Sequence, residues 1–387
     1  MKRKICVVIS ARASYARLKS LLLAIKKHKN LELQIVTTCS ANSEEFGNVS
    51  DIIEKEGFNI NRKIFSHIND DNLKTSVKIT GKTLIELSDV FQELQPDIVV
   101  TNGDRYETIA NAIAAAYMNI PLAHIQGGDV TGNIDEKVRH AITKLSDIHF
   151  ATSATSYKRL ILLGENPNNV FMYGCPSIDI IKDVYGLEKL AFNPLKKYKG
   201  FGNLTSMPEK YYIVMQHPTT TDIENAQSNI EKTLNVIKKL DYPTFIFLPN
   251  SDVSTQIIHQ NLQKFLKDNP LLKIHFFYNM EPMDFIKFIY FSECLIGNSS
   301  VGIRECSYLG IPVINIGDRQ QDRERGSNVI DVSYDSQEIY NAIIKWKENG
   351  RPSQSFIYGK GDAAVKIADT LSSVKLSFQK RLTYNVS

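Results

Sequence analysis

The chain has 387 residues, 43% of them hydrophobic and 23% charged, with a formal net charge of +4. That length exceeds what one hydrophobic core usually supports, so two domains are expected, and the composition excludes a disordered chain. Lys and Arg are scattered rather than gathered on one element, which argues against a nucleic-acid partner, and no apolar stretch approaches the roughly 18 residues that a membrane span needs.

The basic start Met1-Lys-Arg-Lys precedes an apolar run of only about five residues, too short for a signal segment and better read as a first strand. Five dispersed cysteines, Cys6, Cys39, Cys175, Cys294 and Cys306, include no C-x-x-C pair. They do not support zinc or dithiol chemistry and fit a reducing cytoplasm.

Short β-branched runs then alternate with longer amphipathic segments. Strands are predicted at 4–10, 32–38, 97–102, 122–126, 148–152 and 170–173, then at 211–216, 244–248, 273–277, 294–296, 313–316 and 329–332. Helices are predicted between them, among others at 15–27, 73–94, 107–118, 135–145, 225–239 and 281–291, and a last one at 362–378. Such alternation implies parallel sheets covered by helices on both faces, an α/β fold. Asn, Pro, Lys and Gly accumulate at 186–208, and a boundary there divides the chain into residues 1–187 and 188–387. The terminal helix is free in sequence terms to cross back onto the first domain.

In doubly wound sheets ligands bind beyond the carboxyl ends of the strands, so the residues following each strand are the candidates. The first strand runs into Ser10-Ala-Arg12, with no G-x-G-x-x-G, so a dinucleotide site is not supported. Arg12 at a helix start suits a phosphate, although an ordinary strand–helix turn reads the same way. The third strand ends in Gly103-Asp104-Arg105-Tyr106-Glu107; a helix cap accounts for Asp104, and Arg105 is then the unexpected cation. The fourth ends in His124-Ile-Gln126-Gly127-Gly128-Asp129, whose paired glycines allow close backbone approach to a ligand. Asp135 and Glu136 open the next helix, where they favour its dipole, and Asp135 and Arg139 are spaced for an ion pair. His140 has no second histidine one turn away, so no metal site is expected.

In the second half one strand ends at His217, the next at Pro249-Asn250, and a third at Gly297-Asn298-Ser299-Ser300-Val301-Gly302. Hydroxyls and amides at that helix start form a candidate diphosphate cradle, and Glu305 one turn on is placed for a ribose diol. Gly317-Asp-Arg319 adds a further cation.

Taken together, Gly103-Asp-Arg-Tyr-Glu107, His124-Ile-Gln-Gly-Gly-Asp129, the stretch 134–146, Gly174-Cys-Pro-Ser177, Gly297-Asn-Ser-Ser300 and Gly317-Asp-Arg-Gln320 resemble the hydrolysing UDP-N-acetylglucosamine 2-epimerases of the sialic-acid pathway over nearly the whole chain. The resemblance implies two Rossmann-like doubly wound domains around a cleft (glycosyltransferase-B-like), acting on a nucleotide sugar without a cofactor or metal, in a cytoplasmic homo-oligomer, dimer or tetramer. It implies that Asp104, Asp135 and His217 are catalytic. Ser299 and Ser300 would hold the diphosphate and Glu305 the ribose, with Gly302 a further substrate-binding position. Arg12, Arg105, Asn250, Met280 and Arg319 would complete the nucleotide site, with Gln126, Asp129, Glu136 and His140 at the sugar. Four positions depart from the family pattern: Gln126 and Asp129 stand where Glu is usual, Ser14 where Asp is usual, and Ala16 where Ser is sometimes found.

The implied chemistry is anti-elimination of UDP across C1 and C2, giving a glycal, then addition of water to release N-acetylmannosamine. A carboxylate must reach the weakly acidic C2 hydrogen while the leaving diphosphate is stabilised electrostatically. Relatives acting on UDP- or GDP-linked 2,4-diacetamido-trideoxyhexoses, a non-hydrolysing epimerase, a glycosyltransferase of the same fold and a nucleotide-sugar-binding protein without turnover are the alternatives.

Overall fold

A computed structural model describes residues 2–44, 48–68, 73–103, 105–130, 134–218, 224–248 and 255–383. Fourteen strands lie among the described residues: β1 (Arg3–Ile9), β2 (Leu31–Thr37), β3 (Arg62–Lys63), β4 (Ile98–Asn102), β5 (Leu122–Ile125), β6 (Ile148–Ala151), β7 (Val170–Met172), β8 (Gly200–Gly202), β9 (Tyr212–Met215), β10 (Thr244–Phe247), β11 (Ile274–Phe277), β12 (Cys294–Gly297), β13 (Val313–Ile316) and β14 (Val329–Val332). They form two seven-stranded sheets, ordered β3-β2-β1-β4-β5-β6-β7 and β14-β13-β12-β9-β10-β11-β8. Each contains the doubly wound order in which the chain reverses direction beside its first long strand. The first sheet is parallel throughout; in the second only β8 runs antiparallel, on the edge beside β11.

Alternation along β1 explains the layers. Ile5, Val7 and Ile9 enter one hydrophobic cluster, Cys6 and Val8 the other, so both faces of the strand are buried. Burial pushes the Cys6 thiol up to about 12, which makes it a packing residue and not a nucleophile.

The chain divides into two compact units. One takes in residues up to Asp129, Ile134–Ile180 and the segment from Tyr358 onward; the other takes in Ile181–Ile357. The division therefore lies at 180/181, ahead of the expected 187/188, and residues from 358 onward lie with the first unit. The reason is visible at Tyr185 and Gly186, which bind the second unit: the Tyr185 ring packs on that of Tyr290, and the Gly186 N–H donates to the Tyr290 hydroxyl (2.9 Å). The Asn- and Pro-rich stretch that follows is no free linker either: Asn193 caps the turn Pro194–Lys197, Lys197 and Tyr198 both bond the Asp284 carboxylate (2.5 and 2.6 Å), and β8 adds the sheet edge.

The helix Ala363–Ser373 packs Ala364, Ile367, Ala368 and Leu371 into the same cluster as Leu18, Leu21, Leu22 and Ile25 of the helix Arg12–Lys27. Asp179 accepts from the backbone N–H groups of Ala363 and Ala364 (3.0 and 2.6 Å), satisfying the helix start. Arg3 bonds the carbonyls of Leu371 and Val374, which ends the helix short of the predicted residue 378. The predicted helix at 107–118 likewise shortens to Ile109–Tyr117 behind a single 3₁₀ turn, Tyr106–Thr108.

Further along, Lys380 donates to the carbonyls of Thr143 and Ser146 and pairs with Glu165 (2.6 Å), which is only 2% exposed. Glu165 also takes Lys144 (2.7 Å) and His149 (2.9 Å). Burial alone would raise its pKa; the bonds from His149, Lys144 and Lys380 outweigh that and hold it down at about 2. His149 is held below its usual value by burial. Both groups stabilise the fold above the unfolded histidine value near pH 6.5. The histidine part is lost first on acidification, the glutamate part between about pH 4.3 and about pH 2, while Asp147, shifted up by burial, offsets some of it. Glu165→Gln removes the common acceptor charge of two lysines that still reach water, and we expect a loss of about 2 kcal/mol in chemical denaturation at pH 7. Denaturation unchanged by the substitution would mean that the cluster does not anchor the C-terminal segment.

Candidate active site

Within the first unit the candidates gather beyond the carboxyl ends of three adjacent strands, β1, β4 and β5. After β1 the chain turns directly into the helix Arg12–Lys27. Ser14, standing where the resemblance expects an acid, closes that turn: its Oγ accepts from the Ala11 N–H (3.0 Å) and donates to the Ala11 carbonyl (2.7 Å). Arg12 opens the helix and is half-buried. After β4, Arg105 is engaged with buried Glu107 (2.6 Å), so the cation has an acid of its own. Asp104, between Gly103 and Arg105, lies outside the described residues, as does Asn250 in the second unit.

Within β5, His124 is buried, with Nε2 3.1 Å from the Gly103 carbonyl and Nδ1 3.2 Å from Thr143 Oγ1. It ties the turn after β4 to the helix Ile134–Leu145. Gln126 follows in the left-handed region (φ 70°) and is 2% exposed. Its carbonyl oxygen accepts from Arg17 Nη1 (3.3 Å) and its amide nitrogen lies 3.5 Å from Cys175 Sγ. A strained, buried non-glycine residue persists only where its surroundings hold it.

The glycine pair has a different reason from the one expected. A Cβ at Gly128 would run into the Ser156 carbonyl oxygen, and one at Gly127 would crowd His124 and Thr143. These residues are small because the loop presses on the helix Ala154–Leu162, not because a ligand does. Asp129 is part of the same support: its Oδ1 accepts from Thr152 Oγ1 (2.7 Å) and Ser156 Oγ (2.6 Å), and its carbonyl from buried Arg139 (2.9 Å). Asp135 and Glu136 stand half-buried in the first turn of the helix Ile134–Leu145, with Glu136 3.2 Å from His140.

In the second unit the candidates again follow three adjacent strands, β9, β12 and β13. His217, just past β9, is 9% exposed. Burial, and secondly the neighbouring Arg319 charge, push its pKa down to about 3, so the imidazole is neutral at any physiological pH. After β12, Ser299 caps the short helix Ser300–Ile303 through its hydroxyl (3.4 Å to the Val301 N–H), and Ser300 Oγ accepts from Arg304 (3.3 Å). Gly302 backs onto Val313 and Leu295, and Glu305 opens the next helical segment, 3.7 Å from Arg304. After β13, Arg319 reaches the carbonyl of Asn298 (3.0 Å). Met280 is buried, and its N–H donates to the Asn279 side chain (2.8 Å). Arg17, Cys175 and Asn298 are neighbours to which the sequence assigns no role; Cys175 and Asn298 stand inside the quoted motifs, and Arg17 lies one turn beyond Arg12.

The second-unit arrangement is a neutral imidazole, two hydroxyls, a helix start and a guanidinium on neighbouring strand ends, which suits a polyanionic group. Among the described residues no group of three or more His, Cys, Asp or Glu side chains could hold a metal ion.

A family model described as UDP-N-acetylglucosamine 2-epimerase matches residues 23–372. The chain belongs to this family. A Campylobacter jejuni relative named GDP/UDP-N,N'-diacetylbacillosamine 2-epimerase (hydrolyzing) is 36% identical over 332 residues, covering 85% of this chain and 84% of that one. A Legionella pneumophila relative named UDP-N,N'-diacetylbacillosamine 2-epimerase (hydrolyzing) is 30% identical over 379 residues, covering 98% of each. Among solved structures, the UDP-GlcNAc 2-epimerase of Methanocaldococcus jannaschii in complex with UDP-GlcNAc and UDP shares the fold, with a TM-score of 0.77 at 20% identity over 95% of this chain and 99% of that one. The two Rossmann-like units are thus of the glycosyltransferase-B-like class found in this family of enzymes.

The state of His217 is directly measurable. Its imidazole resonances in ¹H–¹⁵N spectra should stay those of a neutral ring from about pH 8 down to about pH 4. A midpoint near the ordinary value of about 6.5 would mean that the ring is solvated and that its burial beside Arg319 is wrong.

Proposed function

We propose that this epimerase-family chain hydrolyses a nucleoside-diphosphate 2-acetamido sugar with inversion at C2. We further propose that its sugar is a 2,4-diacetamido-trideoxyhexose of the N,N'-diacetylbacillosamine type. The second point replaces UDP-N-acetylglucosamine as the first choice, because the relatives at 36% and 30% identity carry names that specify the diacetamido sugar. The observation that carries the chemistry is the set of groups on the ends of β9, β12 and β13: His217 held neutral, Ser299 and Ser300 at a helix start, and Arg319 beside them. These suit a departing diphosphate, whose negative charge grows as its bond to C1 breaks.

In this reading a carboxylate, Asp104 or Asp135, removes the C2 hydrogen. The electrons of that C–H bond form the C1–C2 double bond as the C1–oxygen bond breaks and the nucleoside diphosphate leaves. Water then adds across the glycal, its hydroxyl to C1 and a proton to C2 from the opposite face, and the free sugar is released. Gln126 cannot take a proton at neutral pH, so its part is to orient an acetamido group or a water. Asp129, with its Oδ1 already accepting two hydroxyls, is a support for the loop and not a base. Glu305 binds the ribose; Arg12, Arg105, Asn250 and the backbone at Met280 complete the nucleotide site; Glu136 and His140 border the sugar. The free sugar fits a cytoplasmic route to a sialic-acid-like product.

Incubation with UDP-linked diacetylbacillosamine and, separately, UDP-N-acetylglucosamine should release UDP faster from the former, and NMR should identify a free 2-epimer. Run in deuterium oxide, the product should carry deuterium at C2. Product retaining its original C2 hydrogen rules out the elimination, and equal or better turnover of UDP-N-acetylglucosamine rules out the diacetamido reading. Asp135→Asn should lower kcat by roughly a hundredfold or more with UDP affinity nearly unchanged in calorimetry.

A further inference from the structure

We infer that Asn298, through a two-point clamp on the backbone of His217 and a shared carbonyl on Arg319 and Gln320, is the positioning residue that fixes the diphosphate end of the site. The inference rests on the reading above that His217 and Arg319 face the leaving group.

Asn298 is wholly buried, between the end of β12 and the Ser299 cap. Its backbone N–H continues the ladder one step past the strand, to the Met215 carbonyl (3.1 Å). Beyond that point the ladder cannot go on by itself. The neighbouring chain reads Gln216-His217-Pro218; proline has no N–H, and the residue before it is held extended. The His217 N–H and carbonyl therefore need partners from elsewhere.

Asn298 supplies both. Its Oδ1 accepts from the His217 N–H (2.7 Å) and its Nδ2 donates to the His217 carbonyl (2.8 Å). A side-chain amide carries a donor and an acceptor side by side on one planar group without titrating, and these two partners leave no freedom in which way it points. On its other side the Asn298 carbonyl accepts from Arg319 Nη1 (3.0 Å) and Gln320 Nε2 (2.9 Å). One residue thus ties the end of β9, which carries the neutral imidazole, to the end of β13, which carries the guanidinium. Gly297 lets this happen: at φ 138° a Cβ there would run into the Met215 carbonyl oxygen, so any other residue would push the two strand ends apart.

Groups preorganised in this way stabilise developing charge without rearranging at the moment of bond breaking. The loss on removing Asn298 should therefore fall on kcat more than on KM. Asn298→Asp is nearly isosteric and keeps the acceptor for the His217 N–H, but it turns the donor into a carboxylate oxygen facing the His217 carbonyl. It also places a negative charge beside the imidazole. We expect kcat to fall by about tenfold or more, with KM within about threefold, and a His217 titration to appear in the NMR spectrum well above its wild-type position. Asn298→Ala should show the fall in kcat without the new titration. Should either variant fail to fold by circular dichroism, Asn298→Ser, which leaves a small hydroxyl in the same space, carries the same expectation for kcat.

Folded variants with wild-type kcat and an unmoved His217 titration overturn the positioning role while the wild-type reaction, measured alongside, still stands. A rise in KM alone, with kcat unchanged, overturns it as well, since that is the mark of lost uniform binding. If the wild-type protein neither binds nor releases UDP, the functional reading fails, and this inference fails with it.

Discussion

Parallel strands end abruptly, and what happens to the backbone at those ends governs both units. A strand's last N–H and C=O groups have no further ladder partners, yet they lie in protein where water does not reach. Three of these ends, all beside the candidate residues, are closed by side chains. Ser14 bonds both backbone groups of Ala11 after β1, His124 from within β5 holds the Gly103 carbonyl after β4, and Asn298 holds His217 after β9. The functional candidates sit on the same loops. They inherit their positions from residues that have spent their own hydrogen bonds on the chain.

The same requirement sorts the polar residues into two kinds. Asp129 reads in sequence as a sugar-binding acid, but Thr152, Ser156 and the Arg139 contact to its carbonyl make it a tie between loop and helix. His217 has its backbone fully bonded and its ring neutral beside Arg319, which leaves the ring as a hydrogen-bonding group and not a charge. The difference lies in which atoms remain for a ligand once the backbone and neighbours have been satisfied, and that follows from contacts between segments distant in sequence.

This is why the fold was far more legible than the roles. Strands such as β1, β10 and β13 announce themselves as β-branched or aromatic runs, and the alternation with helices dictates parallel sheets. What escaped was structure made by partners. β8 reads Gly-Phe-Gly and β3 spans two residues, so neither has a pattern; each exists because an edge strand accepted it. The expected unit division falls seven residues late because Tyr185 and Gly186 read as linker until Tyr290 is beside them. Gly128 was read as room for a ligand for the same reason: Ser156 is 28 residues away in sequence and invisible as its neighbour.

A buried side chain in a left-handed conformation is expensive, and at Gln126 the cost is met by a bond from Arg17 and packing against Cys175. A carboxylate in the same place would be a buried ion whose desolvation must be offset by a well-formed pair with that arginine, and the pair would be nearly neutral in sum. An amide needs no such compensation, so the guanidinium charge beside it is left unbalanced by this residue. Relative to an acid, Gln126 therefore makes the end of β5 more positive by one unit and takes away a proton acceptor. Both changes act on the same small region of the first unit. Any proton transfer there must fall to other carboxylates, while the group that replaces the acid is suited to hold an amide, with a donor and an acceptor of its own to match. A sugar carrying two acetamido groups presents that complement twice.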